Sequence, residues 1–246
     1  MKIRAMLPAL ISASLTIAFL IPALAVAQIV PYSQNFEDLA LADPAGNSAL
    51  SDDGWNLYCN VFGSDGSYWY GYGAFPAPNH GVAVSAVVTG EGGPNQDSQQ
   101  LSIFSDYNNT DHGNGATIET NVYQERTIDA GNVGQIWIMT FDAKMGNLEG
   151  ASTAAAFIKT LDPNNGYAMT NYITADMTGS PADWANYSIS LTIDAGLEGQ
   201  IFQFGFTNNA TNYEGSGIFY DNINLSQDGA VATTGITLDN IKSLYR

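Results

Sequence analysis

Basic residues are scarce in this 246-residue chain: seven Lys and Arg stand against 24 Asp and Glu, a formal charge of −17. Two of the seven, Lys2 and Arg4, lie at the extreme N-terminus. The sequence from Gln28 onward therefore holds all 24 acids and only five bases, a charge of −19. Nucleic-acid affinity rests on Lys and Arg displacing counterions from phosphates, so DNA and RNA are excluded as partners. Cysteine is scarcer still. Cys59 stands alone, so no disulfide can form within the chain. A domain of this length holds together by its core without one. One cysteine and two scattered histidines, His80 and His112, cannot build a zinc site of ordinary spacing. Helical periodicity is missing too: no stretch after residue 28 sustains it.

The one long apolar run lies at the start. Lys2 and Arg4 precede it, Leu7 to Leu24 is nearly all apolar, and Ala25-Val26-Ala27 offers the small residues of a cleavage site. The pattern predicts a secretory signal peptide over residues 1–27, cleaved before Gln28. A retained membrane anchor is the alternative, since the run is long enough to span. No cysteine ends the run, which excludes a lipid anchor, and nothing after Gln28 resembles a second span. The expectation is a secreted protein, extracellular or periplasmic, with no membrane insertion after cleavage.

What remains reads as strands. Trp137, Met139 and Phe141 alternate with Ile136, Ile138 and Thr140; Phe202, Phe204 and Phe206 alternate with Gln203 and Gly205; Ile189, Leu191 and Ile193 alternate with polar residues. Further runs are Val82–Val88, Leu101–Tyr107, Thr117–Ile128, Ala154–Leu161 and Gly217–Leu225. Breakers such as Gly92-Gly93-Pro94 and Asp162–Gly166 separate them. Many strands without intervening helices predict an all-β fold, an antiparallel β-sandwich of jelly-roll type over residues 28–227. Residues 228–246 read as a tail or extra edge strand, in which Leu238-Asp239-Asn240-Ile241 echoes Tyr220-Asp221-Asn222-Ile223. Cys59 alternates with Leu57 and Val61, as a buried inert thiol would; a nucleophile would need a basic partner, and only His80 and His112 exist.

Four short motifs recur in a telling order: Asn35-Phe36-Glu37, Gly54-Trp55, Trp184-Ala185-Asn186-Tyr187-Ser188, and Tyr220-Asp221-Asn222-Ile223-Asn224-Leu225. Together they resemble the carbohydrate-binding modules of the family 4, 9 and 22 type, which are jelly rolls of galactose-binding-like topology. Asp97-Ser98-Gln99-Gln100-Leu101 is similar to the loop that enters a middle strand in those modules, without its usual glycine. The resemblance implies a structural calcium held by Glu37 and Asp221, with Asp97 or Glu91 as a third carboxylate. Calcium takes six to eight hard oxygens, and a dication would neutralise converging acids in so acidic a chain. The plain alternative is that Glu37 and Asp221 are strand-end acids. The resemblance also makes Trp55 and Trp184 core residues rather than ligand contacts.

A different segment draws attention for ligand binding. Tyr68-Trp69-Tyr70-Gly71-Tyr72-Gly73-Ala74-Phe75 packs five aromatics into eight residues. Flat rings suit the apolar faces of sugars, while Asn, Gln and Asp bond their hydroxyls. Tyr68, Trp69, Tyr70 and Tyr72 are the candidate polysaccharide contacts, with Tyr123 beside them; Tyr107, Tyr167, Tyr172 and Tyr213 are secondary. The bland alternative is a strand rich in large residues. In the modules resembled, the ligand lies either in a cleft on one sheet or at the loop tips.

Catalytic signatures are missing. Glu119 and Glu125 share a strand face, but at ~3.3 Å per residue they lie about 20 Å apart. Paired glycosidase carboxyls sit roughly 5 to 10 Å apart. No G-x-S-x-G or H-E-x-x-H occurs. The expectation is a non-catalytic glycan-binding protein; a matrix or cell-surface protein that uses the same fold for self-association is the alternative. The acid excess also suits a saline habitat, where stability would rise with salt.

Overall fold

The computed structural model describes residues 28–43 and 46–229. The expected signal peptide and most of the C-terminal tail, with its echo motif, lie outside the described residues. Two antiparallel sheets face one another. Sheet A runs, from edge to edge, β3 (Tyr68–Ala74), β2 (Asn56–Phe62), β6 (Thr117–Thr127), β11 (Ile201–Thr211), β8 (Thr153–Asp162) and β9 (Ala168–Asp176). Sheet B runs β10 (Ala185–Thr192), β7 (Ile136–Met145), β12 (Ile218–Gln227), β5 (Gln99–Ile103) and β4 (Ser85–Thr89), and the short β1 (Tyr32–Gln34) pairs with β12. From β5 to β8 and again from β9 to β12, successive strands alternate between the sheets. This is an antiparallel sandwich of jelly-roll type, all-β apart from short helical turns.

Alternation dictates what each strand buries. The register sets Leu57 against Val122 and Cys59 against Thr120, and sets Val122 in turn against Phe206 and Gln124 against Phe204. Leu57, Cys59, Val122, Phe204 and Phe206 therefore face sheet B, where Trp137, Met139, Phe141, Tyr220 and Leu225 meet them in one core. Phe206 stacks on Tyr220 with ring centroids 3.7 Å apart, and Phe141 packs edge-on to both. Trp55 is fully buried against Phe206. Each such ring contributes on the order of 2 to 3 kcal/mol by leaving water. Cys59 is sealed in this core, 3.6 Å from the Thr120 hydroxyl, and burial pushes its thiol up to about 12. It is the inert thiol that its alternation implied.

β12 breaks strict alternation, and the break has a use. The register shifts between Asp221 and Asn224, and Asn222 takes φ of 49°. This bulge lets Tyr220 and Ile223 both face the core while Asp221 turns to the outer side of sheet B. β1 pairs Gln34 with Ile223, so the N-terminal Asn-Phe-Glu motif lies beside the Tyr-Asp-Asn motif of the last strand.

Candidate functional site

The outer face of sheet A, away from the core, carries a cleft of about 730 Å3. Register assembles it: Tyr58 and Asn60 from β2, Tyr123 and Glu125 from β6, Gln203 from β11 and Lys159 from β8 all stand on this side. Phe75 follows β3 at one rim and Tyr167 precedes β9 at the other. Both rims are open to solvent, at 62% and 61% exposure. Tyr123 is at the floor, 3% exposed.

The polar groups of the cleft are only partly satisfied. Gln203 donates from Nε2 to Glu125 Oε2 at 2.6 Å, while its own Oε1 is buried with no hydrogen-bond partner. Lys159 lies 4.7 Å from the Phe157 ring centroid and 5.5 Å from that of Tyr123. It has no ion pair; the ion pair formed among the described residues is Lys144 with Glu91. Burial holds the Lys159 ammonium below its usual range, and Glu119 and Glu125 oppose that shift from a distance. Burial and the charge of Glu125 likewise push the Tyr123 phenol up, so it stays a neutral hydroxyl. Glu119 is occupied, accepting from Asn60 Nδ2 at 2.6 Å and Asn121 Nδ2 at 2.9 Å. A buried oxygen left unpaired, as Gln203 Oε1 is, costs free energy until a ligand meets it.

The aromatic segment of β3 divides between two sides. Tyr70 and Tyr72 pair with the core-facing Val61 and Cys59 and turn from the cleft. Their hydroxyls are committed, Tyr70 donating to Asp111 at 2.6 Å and Tyr72 to Asp106 at 2.7 Å. Gly71 and Gly73 occupy the cleft side between them. A Cβ at Gly71 would collide with the Tyr58 and Tyr68 hydroxyls, and one at Gly73 with the Phe75 ring. Gly71 thus lets Tyr68 approach Tyr58 at the edge of the cleft, and Gly73 leaves room for Phe75. Trp69 is half exposed at a bulge, its indole crowding Gly63 instead. Of the five sequence candidates, Tyr123 lines the cleft and Tyr68 adjoins it, whereas Trp69, Tyr70 and Tyr72 do not line it. The sequence reading missed Tyr58, Asn60, Lys159 and Gln203. Lys159 left one signal: a lone base in an otherwise uncharged, apolar run, Ala154-Ala155-Ala156-Phe157-Ile158-Lys159.

An acidic cluster lies elsewhere, on the outer side of sheet B. Asp221 is fully buried; its Oδ1 accepts from the Asn222 N–H at 2.6 Å, and its Oδ2 has no partner. Burial raises its pKa to about 7 against the pull of that N–H, and Asp142, Glu37 and Asp97 add to the rise. Asp142 stands opposite Asp221 in the register, held by amide donors from Gln96, Asn186 and Asn222. Glu37 Oε1 accepts the backbone N–H groups of Ser98 and Gln99 and so ties the Asp97 loop to the N-terminal motif. Glu91 stands apart, paired with Lys144 at 2.7 Å. Among the described residues no three metal-ligating side chains form a preformed centre. Trp184, expected in the core, is partly buried and donates to the Glu91 carbonyl at 2.8 Å.

No family model matches the chain, and no curated protein matches it in sequence. Solved structures match it in fold. A family 22 xylan-binding domain from Paenibacillus barcinonensis is 7% identical, over 58% of this chain and 81% of that one, with a TM-score of 0.37. A family 4 carbohydrate-binding module is 14% identical over 76% and 94%, with a TM-score of 0.36. The enzymatically active domain of a tailspike protein of bacteriophage CBA120 is 16% identical over 70% of this chain, with a TM-score of 0.41. This chain spans 19% of that protein's length. These are likenesses of fold, and none of them assigns a ligand here.

Proposed function

We propose that this is a secreted, non-catalytic protein that binds a polysaccharide across the outer face of sheet A. The observation that carries the reading is the buried, unpartnered Gln203 Oε1 beside the Lys159 ammonium, which has no ion pair, in an aromatic-walled cleft. A sugar ring presents apolar C–H faces and a rim of hydroxyls that both donate and accept. Tyr58, Tyr123, Phe75 and Tyr167 suit the faces; Lys159 as donor and Gln203 Oε1 and Glu125 as acceptors suit the hydroxyls. Tyr68 extends the strip at the β3 edge. A neutral glycan fits best, because a chain with a charge of −19 beyond residue 27 repels polyanions.

Calcium belongs to the same proposal as a structural clamp on sheet B. The buried Asp221 Oδ2 without a partner is the feature that fits it. Glu37, Asp97 and Asp221 would hold the ion with help from backbone carbonyls, while Asp142 stays fixed by its amides. The bound cation supplies charge neutralisation; the chain's own part is to bring the first and last strands and the 91–98 loop together.

Affinity electrophoresis against cellulose derivatives, xylan, mannan and mixed-linkage glucan tests the reading. Retardation in one neutral glycan, saturable by its oligosaccharides, is the expected result. Free migration in all of them overturns it.

A further inference from the structure

The outer face of sheet B carries a second cleft, of about 570 Å3, on the opposite side of the molecule from the first. β12 contributes Phe219 and β7 contributes Lys144, directly paired in the register, and Ser102 of β5 flanks Phe219 on its other side. Phe104 and Tyr107 stack at 12° along another wall. Lys144 Nζ lies 5.8 Å from both the Phe219 and Trp184 rings and pairs with Glu91 Oε2.

The two clefts share a chemistry. The described residues include three cations, Arg126, Lys144 and Lys159. Two of the three sit in the clefts, each over a pair of aromatic rings. Each has a carboxylate in the same cleft, Glu125 for Lys159 and Glu91 for Lys144. An ammonium and a carboxylate side by side meet a vicinal diol well, since one hydroxyl accepts while its neighbour donates. Phe219 and Phe104 offer flat apolar surface for the ring that carries the diol. On the outer side of a sheet the plainer use of these groups is solvation, yet Lys144 is largely withdrawn from water, at 17% exposure.

We propose that this second cleft is a weaker saccharide site for the same class of neutral glycan, so that one chain bridges two glycan strands from opposite faces. The inference rests on the reading of the first cleft and extends it. The second site is the weaker because Lys144 and Glu91 are already spent on each other, and a diol has to displace or share that contact. Bridging follows from position: two sites on opposite faces cannot be reached by one bend of a single strand, and divalency raises retention on a dense polysaccharide well beyond either affinity.

Calorimetric titration of the protein with cellohexaose, xylohexaose and mannohexaose in turn tests this. For the hexasaccharide that binds, the expected isotherm has two sites that differ by roughly tenfold or more in affinity. Phe219→Ala should remove the weaker site and leave the tighter, and Phe75→Ala should weaken the tighter and leave the weaker. Lys144→Met serves as the second sheet B variant where Phe219→Ala lowers the melting temperature. A soluble polysaccharide of the same sugar should be cross-linked into a precipitate by the parent protein and not by Phe219→Ala. A single site, lost on Phe75→Ala and untouched by either sheet B variant, overturns divalency and leaves the first cleft standing. Binding lost on Phe219→Ala but not on Phe75→Ala also overturns it and moves the glycan to sheet B alone. No heat with any hexasaccharide overturns both readings.

Discussion

The two outer faces of the sandwich are built from the same residue types and differ in what those residues have left to offer. On sheet A, Lys159 has no ion pair and Gln203 keeps a buried, unpartnered oxygen. On sheet B, Lys144 and Glu91 satisfy one another at 2.7 Å; its unpartnered oxygens are those of Gln100, Tyr220 and Asp221, and the Asp221 oxygen lies beneath the surface and among other acids. The difference teaches that a count of aromatics and charges does not rank two clefts. Unsatisfied groups do, because a ligand gains most where the empty site is at a loss. On the function proposed above, sheet A would serve hydroxyls and the buried part of sheet B would serve a cation.

Calcium gives the largest expected separation of the faces. At a concentration of 100 times its dissociation constant it should stabilise the fold by about 2.7 kcal/mol, roughly 5 to 10 °C in melting temperature. Asp221→Asn should abolish that response, and Lys159→Met should keep it; differential scanning calorimetry with calcium and with EDTA reads both. The reverse pattern is expected for glycan affinity. Lys159→Met should weaken binding about tenfold or more, as loss of a charge-assisted hydrogen bond does, while Lys144→Met should leave the tighter site within about twofold. Titration calorimetry checks this pair.

A smaller effect sharpens the contrast along the Tyr68–Phe75 segment. Phe75→Ala should cost roughly threefold to tenfold in affinity, and Trp69→Ala less than about twofold, because the first ring faces the cleft and the second does not. Equal losses would move the site toward the β3 tip. The smallest effect lies away from both faces. His112 is buried between Tyr107 and Tyr213, its Nδ1 unpartnered, and burial holds its pKa below the usual 6.5. Below that value the unfolded chain takes up the proton more readily than the folded one. Stability is therefore full above about pH 6.5 and falls as pH drops, and His112→Asn should flatten that slope in urea titrations.

The core strands were legible because large apolar residues alternate with smaller or polar ones. In β7 the alternation marks one buried face; β11 is buried on both sides from Phe202 to Asn208, and its alternation sends the three Phe rings into the core between the sheets. β9 was not read as a strand. It is an edge, with Met169 at 58% and Tyr172 at 45% exposure, so neither face carries the contrast that alternation needs. β1, at three residues, is too short for any period. The proximity of Glu37 and Asp221 followed from motif, yet Asp142 had no motif and entered through its register with Asp221.

The cleft was the least legible part. Tyr58 and Asn60, Lys159, and Gln203 lie on three strands that β6 helps to assemble, through pairings such as Gln203 with Lys159, Gln203 with Glu125 and Tyr58 with Asn121, all distant in sequence, and local patterning carries no register. The aromatic segment Tyr68–Phe75 was conspicuous because its rings are adjacent in sequence. Adjacency in a strand sends neighbours to opposite sides, which is why Tyr70 and Tyr72 spend their hydroxyls on Asp111 and Asp106.

The claim that sheet A binds a neutral glycan is tested most directly by retention of the parent protein and the Phe75→Ala/Lys159→Met double variant on the polysaccharide panel, in calcium. Saturable retention of the parent on one glycan, with the folded double variant eluting unretained or nearly so, is the predicted result. Equal retention of the two proteins, or none of the parent on any glycan, would contradict it.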